Sequence, residues 1–525
     1  MQPFPLLLHK FIDHAATWHG ATEIVTGGTD VAGRIGYAAL RDRARAMSGA
    51  FAALGLIFGD RIATLAWNSQ AHMEAWYGAL GLGIVVHTLN PRIGAPQLID
   101  MVRQVSDRVL VASADQADAV AAIVTACPTI EHVVILDEPG TAHLPRPDVT
   151  RVRVWEQQAL LDAHGGDAVA WGGFDENADA GLCFTSGTTG APKGVVYTHR
   201  SNYLQTLTLL QTDVMALSMH ETVLAAVPMF HANGWGLAFA APAAGAKFVL
   251  PARHTDGASL ARLIADEGVT TAVGVATVWL GLIEHLDATG GELPSLRRVV
   301  LGGSAVPQAL MDHIERRLGV TVQTSWGMTE LSPLGTISPI GSHNRDSSRS
   351  GRPPVGIDLR VTDAEGTPLG QQRGQEGRLQ VKGASVVDRY FGQAELATDA
   401  DGWFDTGDLA VIDPSGDLSI TGRSKDLIKS GGEWINPGEI EAIVGALPSV
   451  ALVAVIGRAH PKWGERPVLV LEERADHAVS DAQLAAALDG RIPRWWMPDA
   501  VVRLARMPLA FTGKIDKQQL RRELG

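Results

Sequence analysis

The stretch FTSGTTGAPKG, Phe184 to Gly194, sets three glycines among four hydroxyl residues and a single lysine, Lys193. Glycine lets backbone N–H groups converge on an anion, hydroxyls add donors, and the ammonium adds charge. Leu182 to Thr185 reads as a strand entering this loop and Val195 to Tyr197 as a strand leaving it, which makes the loop a hairpin tip. Most Gly-rich loops are only flexible polar hairpins; the density of donors beside Lys193 favours phosphate here. The Walker A pattern is not met, because Pro192 stands where it needs Gly, Gly194 where it needs Ser or Thr, and strand rather than helix follows. The phosphate is therefore handled in chemistry other than that of a P-loop NTPase.

The surrounding pattern supplies the scaffold. Short β-branched runs, Val299 to Leu301 and Thr321 to Gln323, alternate with amphipathic segments such as Pro307 to Leu318, in which Leu310, Met311, Ile314 and Leu318 recur at helical spacing and Pro307 takes the first helical position. This is the pattern of an α/β core, and it puts Gly302-Gly303-Ser304 at a strand's carboxyl end, where open α/β sheets bind ligands. Beyond about Gly356, VTDAEGTPLG and VIDPSGDLSITG signal hairpins of a β-rich subdomain. From about residue 424 a compact α+β unit follows. In it, Asn436 and Pro437 open a helix through Leu447, Val450 to Ile456 form a buried strand, and Ser480 caps another helix.

With 525 residues and a net charge of −13 spread along the chain, several domains and small-molecule partners are expected, rather than nucleic acid or an anionic membrane. Only Cys127 and Cys183 occur, in no metal-like spacing, and no stretch has the apolar length of a membrane span. A cytoplasmic location is expected.

Further motifs follow in order: PMFHANGW (Pro228 to Trp235), GGSA (Gly302 to Ala305), WGMTE (Trp326 to Glu330), TGDL (Thr406 to Leu409), GRSKDLIKSGGEWINPGEIE (Gly422 to Glu441) and TGKIDKQQLR (Thr512 to Arg521). Together with the Gly-rich loop they resemble the acyl-adenylate-forming superfamily of acyl-CoA synthetases, firefly luciferase and peptide-synthetase adenylation domains. The resemblance spans almost the whole chain. It implies a large α/β N-terminal domain (1–423), with two α/β subdomains and a distorted β-barrel, and a small mobile α+β C-terminal lid (424–525). It also implies ATP, Mg²⁺ and coenzyme A as cofactors and a homodimer formed through the N-terminal domain.

What the resemblance implies residue by residue is as follows. Thr185, Ser186, Gly187, Thr188, Thr189, Gly190 and Lys193 surround the β- and γ-phosphates. Thr329 meets the α-phosphate, and Thr185 and Glu330 serve Mg²⁺. Gly302, Gly303 and Ser304 approach the adenine, in a pocket completed by Ser325, Trp326, Gly327 and Met328. The family more often has Tyr at position 326, so the indole keeps a stacking ring without the phenol's hydroxyl. Asp408 takes the ribose hydroxyls, and Arg423 lies near ribose and phosphate. Lys514 bridges the acyl carboxylate and the α-phosphate, whereas Lys517 reads as an ordinary solvated lysine. His231 lies beside the acyl carboxylate and the thiol path, and Trp235, Gly302 and Pro333 shape the acyl pocket. Lys425 is the hinge about which the lid rotates to withdraw Lys514 and bring Ser430, Gly431, Gly432, Glu433 and Trp434 to the pantetheine arm.

The implied reaction joins a carboxylate to the α-phosphorus of ATP and then passes the acyl group to coenzyme A. The pocket residues are apolar, which favours a plain monocarboxylic acid over an amino acid. HANGWGLAFAAPAAGAKFVLP with SWGMTELSPLG is most similar to short- and medium-chain fatty acyl-CoA ligases, including those acting on 3-methylmercaptopropionate. An aryl-acid ligase or a carrier-loading enzyme are the alternatives.

Overall fold

A computed structural model describes residues 1–28, 32–166, 169–185, 192–304, 306–341, 346–474, 478–510 and 514–525. The expected phosphate-loop residues Ser186, Gly187, Thr188, Thr189 and Gly190 lie outside the described residues.

Among the described residues, the N-terminal domain is built on two large sheets whose interiors are parallel. The eight-stranded sheet runs in the order Leu334–Ile337, Thr321–Gly327, Arg298–Gly302, Thr271–Val275, Thr222–Ala225, Lys247–Leu250, Glu23–Thr26 and Gly33–Gly36, antiparallel only at its two edges. The seven-stranded sheet runs Arg153–Glu156, His132–Ile135, Val109–Ala112, Arg61–Leu65, Val85–Leu89, Asp179–Phe184 and Gly194–Thr198. Its last pair is the predicted phosphate hairpin, with Phe184 opposite Gly194. The helices Tyr37–Ala53, Gln70–Gly81 and Leu237–Ala244 pack between the sheets in a core shared by Ile62 and Val111 of one and Phe248 and Val300 of the other. Separate apolar clusters cover the outer faces. Parallel strands buried on both faces explain the unbroken Val/Ile/Leu runs of the sequence.

The expected barrel takes the form of a four-stranded antiparallel sheet, Ile357–Thr362, Glu376–Gly383, Phe404–Ile412 and Leu418–Arg423. Single bridges, such as Val195 with Tyr390, join residues of this region to the neighbouring sheets. VIDPSGDLSITG closes its last hairpin.

A five-stranded sheet begins with Ile428–Ser430 and Glu433–Ile435 and centres on Val450–His460 and Gly464–Glu473. Asn436 caps the helix Pro437–Gly445 by accepting from Gly438 N at 3.0 Å, and Ser480 with Gln483 forms a capping box. Two boundaries differ from the sequence reading. The first helix of this unit ends at Gly445, and Pro307 is the cap of the helix Gln308–Leu318 rather than its first residue, because its ψ of 134° is extended.

Candidate active site

PMFHANGW, Gly302 of GGSA and WGMTE lie at the carboxyl ends of parallel strands, Thr222–Ala225, Arg298–Gly302 and Thr321–Gly327. Thr185 N donates to Lys193 O at 2.9 Å and closes the base of the phosphate hairpin. Lys193 is exposed and extends over the ring of Tyr390, 4.7 Å from its centroid.

Strand Thr321–Gly327 carries WGMTE into a short turn, Thr329–Leu331, held where Tyr197 Oη donates to Thr329 O at 2.9 Å. Glu330 is only 8 % exposed, and Oε1 accepts from Tyr390 Oη at 3.0 Å. Burial pushes its carboxyl up, opposed by the Tyr390 bond and by the charges of Arg423 and Lys193. A buried carboxylate beside a phosphate loop suits Mg²⁺, which takes one or two protein carboxylates and completes its shell with water and substrate phosphates. Bound there, Mg²⁺ would neutralise phosphate charge as pyrophosphate leaves.

Trp326 corrects the sequence reading. The loss of the phenol's hydroxyl does not cost the position its hydrogen bond, because indole Nε1 donates to Asp408 Oδ2 at 2.9 Å. The indole is packed into the core beside Cys183, Tyr197 and Leu331, and a Cβ on Gly335 would collide with it. Asp408 stands opposite Arg423 in the antiparallel pair, with Oδ1 2.8 Å from Arg423 Nε. That contact lacks the alignment of a hydrogen bond, so a buried acceptor is left over.

PMFHANGW is the most strained segment. His231 is extended, and Ala232, Asn233, Gly234, Trp235 and Gly236 then all take positive φ between 41° and 76°. Such conformations cost non-glycine residues free energy and persist only where the surroundings enforce them. Asn68 supplies part of that enforcement by donating to Ala225 O and Val227 O and accepting from Met229 N at 2.6 Å. The run turns the Trp235 indole onto Gly302 and Gly303, where a Cβ on Gly302 would stand 3.1 Å from Cη2 and collide with Ser325 Oγ. Gly302 is therefore explained here by Trp235 and Ser325, and Gly303 by its φ of 82°. Pro333 follows the WGMTE turn, and its carbonyl accepts from Met328 N at 3.0 Å.

Among the described residues, His231 Nε2 is buried without a hydrogen-bond partner. Burial, helped by the charges of Arg92 and Lys514, lowers its pKa to about 4, so the ring is neutral at physiological pH. Arg92 escaped the sequence reading. Its guanidinium lies over Trp67 and Phe230, at 5.5 and 5.9 Å, and nothing in NPRI distinguishes it from a surface arginine.

Lys514, from the C-terminal unit, lies near this place. The residue is exposed, yet protein surrounds its ammonium closely enough that burial lowers its pKa to about 8, with Arg423 and Lys425 lowering and Asp408 and Glu330 raising it. Lys514 thus lies within electrostatic range of the ribose, metal and hinge candidates and of His231. The hairpin Ile428–Ser430/Glu433–Ile435 is engaged with the lid instead: Gly431 N donates to Trp463 O at 2.8 Å, Ser430 Oγ accepts from Arg466, and Trp434 is 52 % exposed. Lys517 is not the solvated lysine expected, because it pairs with Glu441 at 2.7 Å.

A family described as AMP-binding enzyme matches residues 11–391, and the AMP-binding enzyme C-terminal domain matches residues 439–514. The chain belongs to the AMP-binding, acyl-adenylate-forming enzymes. Among its relatives in this family, a 3-methylmercaptopropionyl-CoA ligase of Ruegeria lacuscaerulensis is 41% identical, over 100% of this chain and 98% of its own. A medium-chain-fatty-acid–CoA ligase of Ectopseudomonas oleovorans is 38% identical, over 99% of this chain and 96% of its own. The crystal structure of ATP-bound MatB from Rhodopseudomonas palustris superposes with a TM-score of 0.84 at 26% identity, covering 99% of both chains. This AMP-binding enzyme is an AMP-forming acyl-CoA synthetase, which uses ATP, Mg²⁺ and coenzyme A to activate a carboxylic acid through its adenylate. No helix among the described residues is long and apolar enough to cross a membrane.

Proposed function

We propose that the acid is a short- or medium-chain monocarboxylate, with 3-methylmercaptopropionate the leading candidate. The observation that carries this reading is the Trp235 indole lying against Gly302 and Gly303, the first of them assigned to the acyl pocket, where its bulk would shorten that pocket. The 41% identical ligase named for that acid agrees with it. Apolar contact discriminates weakly, at about 1–3 kcal/mol per methylene, so neighbouring chain lengths are expected to react as well.

In the first half-reaction Lys514 bridges the carboxylate and the α-phosphate, Lys193 and the hairpin hold the departing phosphates, Thr329 meets the α-phosphate, and Asp408 holds the ribose. Neutral His231 orients the carboxylate. The lid, residues 424–525, then turns about Lys425, withdrawing Lys514 and presenting Ser430 to Trp434 to coenzyme A. The position of Lys514 near Glu330 and Asp408 supports the first arrangement, and the exposed glycine hairpin is available for the second. A cytoplasmic homodimer is the assembly this reading carries; light scattering in solution tests the dimer.

The deciding experiment measures AMP release with coenzyme A for butyrate, hexanoate, 3-methylmercaptopropionate, benzoate and cinnamate. Turnover of the aromatic acids alone overturns the reading. Trp235→Ala is expected to move the chain-length optimum upward while leaving the KM for ATP nearly unchanged; an unchanged acyl profile removes Trp235 from the pocket.

A further inference from the structure

Tyr390 belongs to none of the motifs that the sequence singles out, yet it touches two of them. Its hydroxyl donates to Glu330 Oε1 at 3.0 Å, and its ring carries the Lys193 ammonium 4.7 Å from the centroid. The backbone fixes this placement. Tyr390 bridges to Val195 on the outgoing strand of the phosphate hairpin, and Phe391 N donates to Gly194 O at 2.8 Å. Gly194 permits the approach, since a Cβ there would come within 2.9 Å of Phe391 Cβ.

The two ends of this side chain do different work. A phenol hydroxyl holding one carboxylate oxygen orients the carboxylate and directs the other oxygen to a cation, the arrangement by which outer partners tune metal ligands. A ring face under an ammonium gives it a defined resting position before phosphate arrives. Both partners are assigned above to the departing half of ATP, and Tyr390 is in direct contact with each of them.

We propose that Tyr390 is a positioning residue that sets the cation-binding carboxylate of Glu330 and the phosphate-binding ammonium of Lys193 in one register for pyrophosphate departure. The proposal rests on the roles given above to Glu330 and Lys193. Tyr390→Phe removes the hydroxyl and keeps the ring; Tyr390→Leu removes both.

The test uses the full-length enzyme with three measurements. These are Mn²⁺ affinity of the enzyme–ATP complex by electron paramagnetic resonance, Mg²⁺ dependence of acid-dependent pyrophosphate–ATP exchange, and thioester formation from supplied acyl-adenylate and coenzyme A. Tyr390→Phe is expected to weaken metal affinity roughly tenfold and to raise the Mg²⁺ requirement of exchange in parallel, with the thioester step unchanged. Tyr390→Leu is expected to add a rise in the KM for ATP that the Phe variant does not show. Wild-type metal affinity in the Phe variant, or equal loss in both half-reactions, overturns the proposal. Glu330→Gln separates the two levels. If it shifts the metal dependence and Tyr390→Phe does not, the proposal alone fails; if Glu330→Gln shifts nothing, the role of Glu330 fails and takes the proposal with it.

Discussion

Trp326, Asp408 and Glu330 are all 8 % exposed or less and are held by side-chain hydrogen bonds, Trp326 with Asp408 and Glu330 with Tyr390. Lys514 and Trp434, in contrast, are exposed on the C-terminal unit, and the segment carrying Lys514 is fastened by partly exposed ion pairs to Glu441 and to Asp426, beside the proposed hinge. Buried polar networks are costly to leave half-made, whereas exposed pairs contribute little and exchange readily. On the proposed reading, the nucleotide half is therefore preorganised and the lid half is replaceable. A site that must first hold pyrophosphate chemistry and then admit a thiol needs one wall of each kind.

The largest expected effect comes from emptying the moving wall. Lys514→Ala should lower adenylate formation, read as pyrophosphate–ATP exchange, by about 10²–10³-fold, the scale of losing one preorganised charge at a transition state. Thioester formation from supplied acyl-adenylate should be largely spared. Equal damage to both steps would place Lys514 in the fixed half and erase the contrast.

A second effect follows from the same lysine's pKa of about 8 in the free enzyme. The working form is the ammonium, which is present below that pH and lost above it. On this basis kcat/KM for adenylation should fall on the alkaline side from about pH 8, by about tenfold per unit well above it. Bound phosphates favour the ammonium, so the limb in kcat should lie at higher pH. Neutral His231, with its pKa of about 4, should contribute no limb near pH 6–7. A profile flat to pH 9.5 would contradict the Lys514 assignment, since ~1.5 units above its pKa little ammonium remains.

The fixed wall breaks more gently. Trp326→Phe removes the indole bond to Asp408, a hydrogen bond to a charged acceptor of about 1.5–3 kcal/mol, and should raise the KM for ATP by about tenfold or more. Gly335→Ala should act in the same direction by displacing the indole with which its Cβ would collide. If neither variant changes ATP affinity, the Trp326–Asp408 bond is not part of the ribose site.

The sequence made the fixed wall's ingredients legible but not its joints. Hydrophobic runs announced the parallel sheets, and the Gly-rich loop announced its hairpin, because periodicity and turn chemistry are local. Tyr390, Gly335 and Asn68 carried no such signal. A tyrosine in DRYFGQ or a glycine in PLGTI gains meaning only when residues distant in sequence arrive beside it, and that is decided by tertiary packing. Trp326 shows the same limit: its residue type was read for what it lacked, and the partner of its N–H was 82 positions away. Lys517, taken for a solvated lysine, proved paired because Glu441 sits on a helix that only the fold brings near.

The smallest expected effect tests how the moving wall is aimed. Lys514 O accepts from Ala510 N at 2.7 Å, and the next helix, Lys517–Leu524, buries Leu520 in the lid core. Arg521 on that helix pairs with Asp426 at 2.7 Å, one residue past the proposed hinge at Lys425. On the proposed reading, this pair couples the turn that rotates to the segment that delivers the ammonium. Its Arg side chain is 35 % exposed, so the bond itself is worth about 0.2–1 kcal/mol and Arg521→Ala should slow adenylate formation less than about fivefold. The loss should fall on the first half-reaction, because the thioester step uses the lid without Lys514. A deficit confined to the second half-reaction would mean that the pair serves the rotated state instead, and would reverse the assignment of which wall it holds.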